Sequence, residues 1–134
     1  MRVVTWNINS LRLRLPLLDR LIEALNPDVI CLQETKVPDE LFPDAAPAAL
    51  GYPYVARRGM KGYNGVAILS RLPMVTEDAP DWCAKGDCRH IAAALQTPTI
   101  PCASTPITPA GTPESAASMK ARRSSSRALA AVSE

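Results

Sequence analysis

Short apolar segments separated by polar turns predict an α/β domain in the first 97 residues. β-Branched residues and a tryptophan at 2–7 predict a first strand. Apolar residues then recur at the i, i+3, i+4 and i+7 spacing of an amphipathic helix, which we expect to run from Pro16 to Leu25 because proline is tolerated at the first helical position. A buried apolar run ending at Glu34 predicts the next strand. The strand–helix–strand order makes the two strands parallel neighbours.

The alternation continues beyond this unit. We expect a short irregular helix within 38–50 that ends at Gly51, followed by strands at 52–57, 66–70, 74–77 and 90–96. A segment with three glycines precedes the strand at 66–70 and predicts a tight hairpin. A polar loop containing Trp82 joins the last two strands.

The pattern stops after Gln96. Residues 98–134 contain five prolines, eight alanines, seven serines and no aromatic residue. Such a composition buries too little apolar surface to offset the entropy lost on ordering the chain. We therefore expect a folded part over 1–97 and a low-complexity, disordered tail over 98–134, with a weak helix at 119–123 and 128–132 as the alternative.

The amino-acid composition limits the classes of protein to which the chain can belong. The chain has 134 residues, 47% of them hydrophobic, which suits one domain. Its 15 basic and 13 acidic residues produce no global field that would attract nucleic acid. The four cysteines lack the paired spacing of a zinc site, and Cys31 fits a small buried hydrophobe. Without an apolar run of about 18 residues or a signal segment, we expect a cytoplasmic monomer with no membrane contact.

Glu34 is the first candidate for chemistry. A carboxylate at the end of a buried strand is well placed to bind a hard cation such as Mg²⁺, which prefers oxygen ligands. The residues alone leave open that Glu34 is an ordinary polar residue leaving a strand, with Lys36 as its solvated neighbour. Asn7 is similarly open, because asparagine also turns chains.

Three segments resemble the exonuclease III family of DNA-repair nucleases, within the endonuclease/exonuclease/phosphatase superfamily. They are Thr5–Arg12, Leu32–Lys36 and Gly62–Ser70, and the segment Asp87–Ile91 fits as well. The resemblance covers residues 1 to about 97. It implies the N-terminal part of a two-sheet α/β sandwich, and Mg²⁺- or Mn²⁺-dependent incision of duplex DNA at abasic sites with 3′ to 5′ removal of nucleotides from 3′ ends.

The resemblance also implies site residues. Glu34 matches the family's metal-ligand glutamate, and Asn7 matches the asparagine that supports the metal and the scissile phosphate, so both are expected to be catalytic. The basic, glycine-rich hairpin is expected to contact DNA phosphates, although a simple solvated hairpin is the alternative. The expected DNA-binding residues are Arg57, Arg58, Lys61, Tyr63 and Asn64, together with Arg12, Lys36 and Arg89 on the same surface.

The sequence departs from the family in its second half. The family supplies there an Asp/Asn pair, further acidic ligands and a His–Asp pair, whereas this chain has a single histidine, His90, on a predicted strand, and no aspartate after Asp87. We expect a truncated or frame-shifted, inactive nuclease. The alternatives are a non-catalytic remnant that binds DNA weakly and a superfamily phosphodiesterase with another substrate.

Overall fold

The computed structural model of the chain describes residues 1–78, 86–97 and 127–133. Its strands form two sheets, as predicted. The strands are β1 Val3–Asn7, β2 Val29–Gln33, β3 Tyr54–Arg58, β4 Val66–Ser70, β5 Met74–Asp78, β6 His90–Gln96 and β7 Arg127–Ser133; the helices are α1 Leu11–Leu25 and α2 Ala45–Ala49, with a 3-10 turn at Asp39–Leu41. The loop predicted around Trp82 lies outside the described residues.

The first sheet has the strand order β1-β2-β4-β3, and the second has the order β5-β6-β7. β1 and β2 are parallel, with Val3 opposite Val29 and Asn7 opposite Gln33, which confirms the predicted strand–helix–strand unit. β4 is antiparallel to both β2 and β3. Because β1 and β2 run in the same direction, their C-terminal ends meet at one edge of the sheet.

Strand β2 is covered on both faces. Ile30 and Leu32 belong to the core beneath α1, whereas Val29 and Cys31 belong to the core between the two sheets. The second core is completed by residues of β4 and β6, including Ile68, Ile91 and Leu95. This double burial explains the continuous apolar run in the sequence. Cys31 is 4% exposed, as predicted for a small buried hydrophobe, and burial raises the pKa of its thiol.

Helix α1 begins earlier than predicted. It starts at Leu11, so Pro16 lies inside it rather than at its first position. Alternating leucines and arginines at 11–15 obscured a stripe of apolar residues that extends back to the fully buried Leu11. The Leu11 N–H also donates a hydrogen bond to the Thr35 carbonyl at 3.0 Å, so a tertiary contact determines where the helix begins. Neither helix in the described ranges is long and apolar enough to cross a membrane.

The disorder expected over 98–134 is wrong for β7. Residues 127–133 form a strand antiparallel to β6, from His90 opposite Ser133 to Gln96 opposite Arg127. The weak helix considered at 128–132 is therefore also wrong. The physical reason is that β6 offers an open edge, and a ladder of backbone hydrogen bonds can order an alanine-rich segment that has few large side chains. Residues 98–126 and 134 lie outside the described residues.

Candidate active site

The parallel strands β1 and β2 bring Asn7 and Glu34 together. The Ile8 N–H donates to the Gln33 carbonyl at 3.0 Å, which continues the pairing one step beyond the strands. At that point Asn7 Nδ2 donates to Glu34 Oε1 at 2.8 Å. Two residues 27 positions apart in sequence thus meet because of the strand register.

The second carboxylate oxygen of Glu34 faces a cation. Lys36 Nζ lies 3.1 Å from Glu34 Oε2 and also donates to Asn9 Oδ1 at 2.5 Å. The hydrogen bonds from Asn7, and then from Lys36, lower the pKa of Glu34 despite some desolvation. Since the Glu34 side chain is 35% exposed, the site presents an ionised carboxylate that solvent can reach.

The backbone around Glu34 has an unusual conformation. Glu34 and Lys36 have φ angles of 51° and 55°, in the left-handed region, and they flank Thr35, which is 1% exposed. A non-glycine residue held in that region costs on the order of 1–3 kcal/mol and persists only where the surroundings over-determine it. The loop 34–36 is therefore a place where tertiary contacts override local preference.

Those contacts come from two sides. On one side, the Ser10 N–H donates to the Glu34 carbonyl at 2.8 Å, beside the bond from Leu11 to Thr35. On the other, the Thr35 N–H donates to the Gly65 carbonyl and the Lys36 N–H donates to the Asn64 carbonyl, both at 2.9 Å. The loop is thus held between the start of α1 and the β3–β4 hairpin.

Two hairpin glycines permit this close approach. A Cβ on Gly65, whose φ is +95°, would lie 2.4 Å from Thr35 Oγ1, and a Cβ on Gly59 would lie 2.0 Å from the Val37 carbonyl oxygen. From the sequence we expected the glycines to form a tight turn and to expose backbone amides to DNA phosphate. In the structure they also bring the hairpin against the loop that carries Glu34.

The predicted DNA-binding residues separate into two groups. Lys61 and Tyr63 are exposed at the hairpin tip, and Arg12 and Arg89 are exposed as well. Arg89 Nε also forms an ion pair with Asp87 Oδ2 at 2.7 Å. These four side chains remain accessible to a ligand.

The other predicted residues have partners within the protein. Arg57 forms an ion pair with Asp44, and its guanidinium lies 5.1 Å from the centre of the Phe42 ring. Arg58 is half-buried beside Cys88. Burial raises the pKa of the Cys88 thiol, and the positive charge and hydrogen bond of Arg58 oppose this rise. Lys36 forms an ion pair with Glu34 and donates a hydrogen bond to Asn9.

Asn64 is also held internally. Its Nδ2 donates to the Asp87 carbonyl at 2.9 Å. Sequence reasoning missed this role, and it missed Asn9 and Thr35 altogether. The sequence signal for Asn9 and Asn64 was the residue type, because asparagine tolerates the left-handed conformation that both adopt.

The donor set suits a hard cation. The Glu34 carboxylate and the Asn7 amide offer oxygen atoms, and Mg²⁺ is usually bound through one or two carboxylates with water and substrate phosphate completing the shell. Within the described ranges, no group of three His, Cys, Asp or Glu residues could hold a metal ion. The described residues thus offer one carboxylate and one amide oxygen at this edge of the sheet.

Comparison with known proteins decides the family. The sequence profile of the endonuclease/exonuclease/phosphatase family matches residues 4–132. The chain belongs to this family. The profile therefore extends past residue 97, where the resemblance read from the motifs ended.

Individual relatives agree with the exonuclease III resemblance. Exodeoxyribonuclease III of Haemophilus influenzae is 48% identical over 71 residues, covering 53% of this chain and 26% of that protein. A 3′ phosphatase from Neisseria, solved with a product DNA hairpin, superposes with a TM-score of 0.65 at 38% identity over 71% of this chain. An AP endonuclease from Archaeoglobus fulgidus gives a TM-score of 0.64 at 35% identity, again over 71% of this chain.

The chain spans only part of these proteins. The superposed residues cover 37% of the Neisseria protein and 37% of the Archaeoglobus protein. The predicted two-sheet α/β architecture is confirmed by the fold and by these neighbours.

We expect Gly65→Ala to destabilise the protein more than Gly62→Ala. Both glycines have left-handed φ angles, of +95° and +88°, so each alanine carries a conformational cost of about 1–2 kcal/mol. Only the Gly65 variant adds a clash with Thr35, because no atom lies within 4 Å of the Cβ position at Gly62. Urea unfolding of the two variants measures the difference, and equal losses would contradict the close approach.

Proposed function

We propose that this chain carries the metal-binding part of a divalent-metal-dependent DNA nuclease site. The observation that supports the proposal is the hydrogen bond between Asn7 and the ionised Glu34 carboxylate at the ends of two parallel strands. The names of its relatives, exodeoxyribonuclease III and AP endonuclease, support abasic-site incision and 3′ to 5′ exonuclease action as the reaction.

In this proposal the residues have separate tasks. Glu34 binds Mg²⁺ or Mn²⁺ through its carboxylate, and Asn7 fixes the direction of that carboxylate, the orienting task that metal sites generally require. The bound cation would neutralise charge on a phosphodiester and on the leaving oxygen. The hydrogen bonds from Asn7 and Lys36 lower the pKa of Glu34, so the carboxylate is ionised before a cation binds.

Full catalysis needs more than these residues. A group that activates water contributes about 10²–10⁴ in rate, and preorganised electrostatic groups contribute similar factors. Within the described ranges, Glu34 does not belong to a group of three or more His, Cys, Asp or Glu residues that could hold a metal ion. We therefore propose that the chain alone binds metal and DNA with little turnover, as a weak DNA-binding remnant would.

The proposed DNA surface is formed by the accessible residues. Lys61 and Tyr63 at the hairpin tip, with Arg12 and Arg89, offer charge and an aromatic face to a sugar-phosphate backbone. The Neisseria neighbour was solved with a DNA hairpin, which supports DNA as the ligand class. Arg89 is included because its side chain is 49% exposed despite its ion pair with Asp87. Arg57 is left out because its side chain is only 29% exposed and its guanidinium contacts both Asp44 and Phe42.

We expect Glu34→Gln to remove most Mn²⁺ binding by the protein, because the variant keeps the shape of the side chain and loses its charge. Asn7→Ala should weaken binding by about 10–100-fold, the usual effect of removing a group that orients a metal ligand. Glu40→Gln is the matched control, since Glu40 is an exposed carboxylate on the 3-10 turn. Electron paramagnetic resonance of free Mn²⁺ measures the affinities.

An incision assay on a duplex that contains an abasic site then distinguishes a catalytic chain from a non-catalytic remnant. Incision by the wild-type chain that Glu34→Gln abolishes would show catalysis. DNA binding without incision at high protein concentration would support the binding remnant. Equal Mn²⁺ affinity in Glu34→Gln and wild type would contradict the site.

The DNA surface is tested by salt dependence. Lys61→Gln should reduce the slope of log affinity against log salt concentration by about 1, since it removes one phosphate contact. Arg57→Gln should leave the slope unchanged, because Arg57 is paired with Asp44. Fluorescence anisotropy on a labelled duplex measures both slopes, and the reverse ranking of the two variants would refute the proposed surface.

A further inference from the structure

Asn64 connects three separate segments of the protein. It belongs to the β3–β4 hairpin, and its φ of 52° lies in the left-handed region. Its carbonyl accepts the Lys36 N–H at 2.9 Å, and its Nδ2 donates to the Asp87 carbonyl at 2.9 Å. One residue therefore contacts both the loop that carries Glu34 and the segment that carries Arg89.

The contact with Lys36 affects the direction of Glu34. Because Glu34 and Lys36 both have left-handed φ angles, the loop depends on outside bonds to keep its conformation. The Asn64 carbonyl provides one of those bonds, at the residue that also pairs with the Glu34 carboxylate. A change in the conformation of Asn64 would therefore move Lys36, and with it the hydrogen-bonded pair Asn7–Glu34.

The contact with Asp87 fixes Asn64 in turn. Asn64 is half-buried, whereas the adjacent Tyr63 is 56% exposed. Its side-chain amide is directed to a backbone carbonyl of the protein, and Asp87 holds Arg89 through an ion pair of 2.7 Å. The side chain of Asn64 thus serves an internal bond, while Tyr63 and Lys61 face solvent.

We infer that Asn64 is a positioning residue rather than a residue that contacts DNA. It holds the loop 34–36, which carries Glu34, in a fixed position relative to the segment 86–89. Its value for catalysis rests on the proposed nuclease function. The effect of Asn64 on the positions of Asn7 and Glu34 does not depend on that function. The positioning role and the nuclease function can therefore be tested separately.

The test compares two asparagines of the full chain. Asn64→Gly keeps the left-handed backbone, which glycine adopts readily, and removes the bond to Asp87. Asn26→Gly is the matched control, because Asn26 also has a left-handed φ, of 42°, and a side-chain bond, to Arg71 at 2.6 Å, but it caps the far end of α1. Asn64→Asp, which retains the size of the side chain without its N–H donors, is the second variant.

Nuclear magnetic resonance provides the readouts. In both Asn64 variants we expect the side-chain amide signal of Asn7 to shift, and the Lys36 backbone amide to exchange about fivefold faster, the rate change that corresponds to about 1 kcal/mol, or one lost hydrogen bond. Asn26→Gly should leave both signals unchanged, even where it lowers the urea midpoint by the same amount.

The possible results distinguish the positioning role of Asn64 from the proposed nuclease function. Asn64 variants that weaken DNA binding while the Asn7 and Lys36 signals stay as in wild type would overturn the inference and make Asn64 a DNA contact. Failure of the wild-type chain to bind Mn²⁺ or DNA would refute the proposed function, whereas shifted Asn7 and Lys36 signals in the Asn64 variants would still support the positioning role.

Discussion

The parallel pairing of β1 with β2 is the constraint on which the candidate site depends. Asn7 is the last paired residue of β1, and Glu34 directly follows its partner Gln33, so the register brings the two side chains together. A slip of one residue would turn each side chain to the other face of the sheet. The double burial of β2 prevents that slip, since Ile30 and Val29 lie in different cores. The apolar interior thus determines the position of a polar pair at the edge.

The site also depends on the turns that follow the strands. Left-handed φ angles at Glu34 and Lys36 are unfavourable locally, and the helix start and the hairpin stabilise them through backbone hydrogen bonds. Gly65 lets the hairpin come close enough to form these bonds. The result is a carboxylate whose direction is set by rigid neighbours on both sides, as a metal ligand requires. Lys36 and Asn7 keep that carboxylate ionised.

Much of the fold could be predicted from periodicity. Strands β4 and β6 matched the prediction residue for residue because continuous apolar runs bounded by glycine or polar residues leave little choice. The start of α1 was missed, since it depends on a bond from Leu11 to Thr35 that no local pattern encodes. Strand β7 was missed for a related reason: its order comes from the edge of β6, not from its own composition. At the site, the family resemblance indicated Asn7 and Glu34, which the residue types alone left open. The roles of Asn64 and Gly65 depend on φ angles and close approaches, which periodicity does not report.

The most direct test of this account is a Mn²⁺ titration of the full chain followed by the paramagnetic broadening of its backbone amide signals. If the paired strand ends form the metal-binding site, the broadening at low Mn²⁺ is strongest at Asn7 and Glu34 and weaker at the exposed carboxylates Asp19 and Glu23, further along α1. Broadening that begins at those exposed carboxylates, or that leaves the signals of Asn7 and Glu34 unchanged, would contradict it.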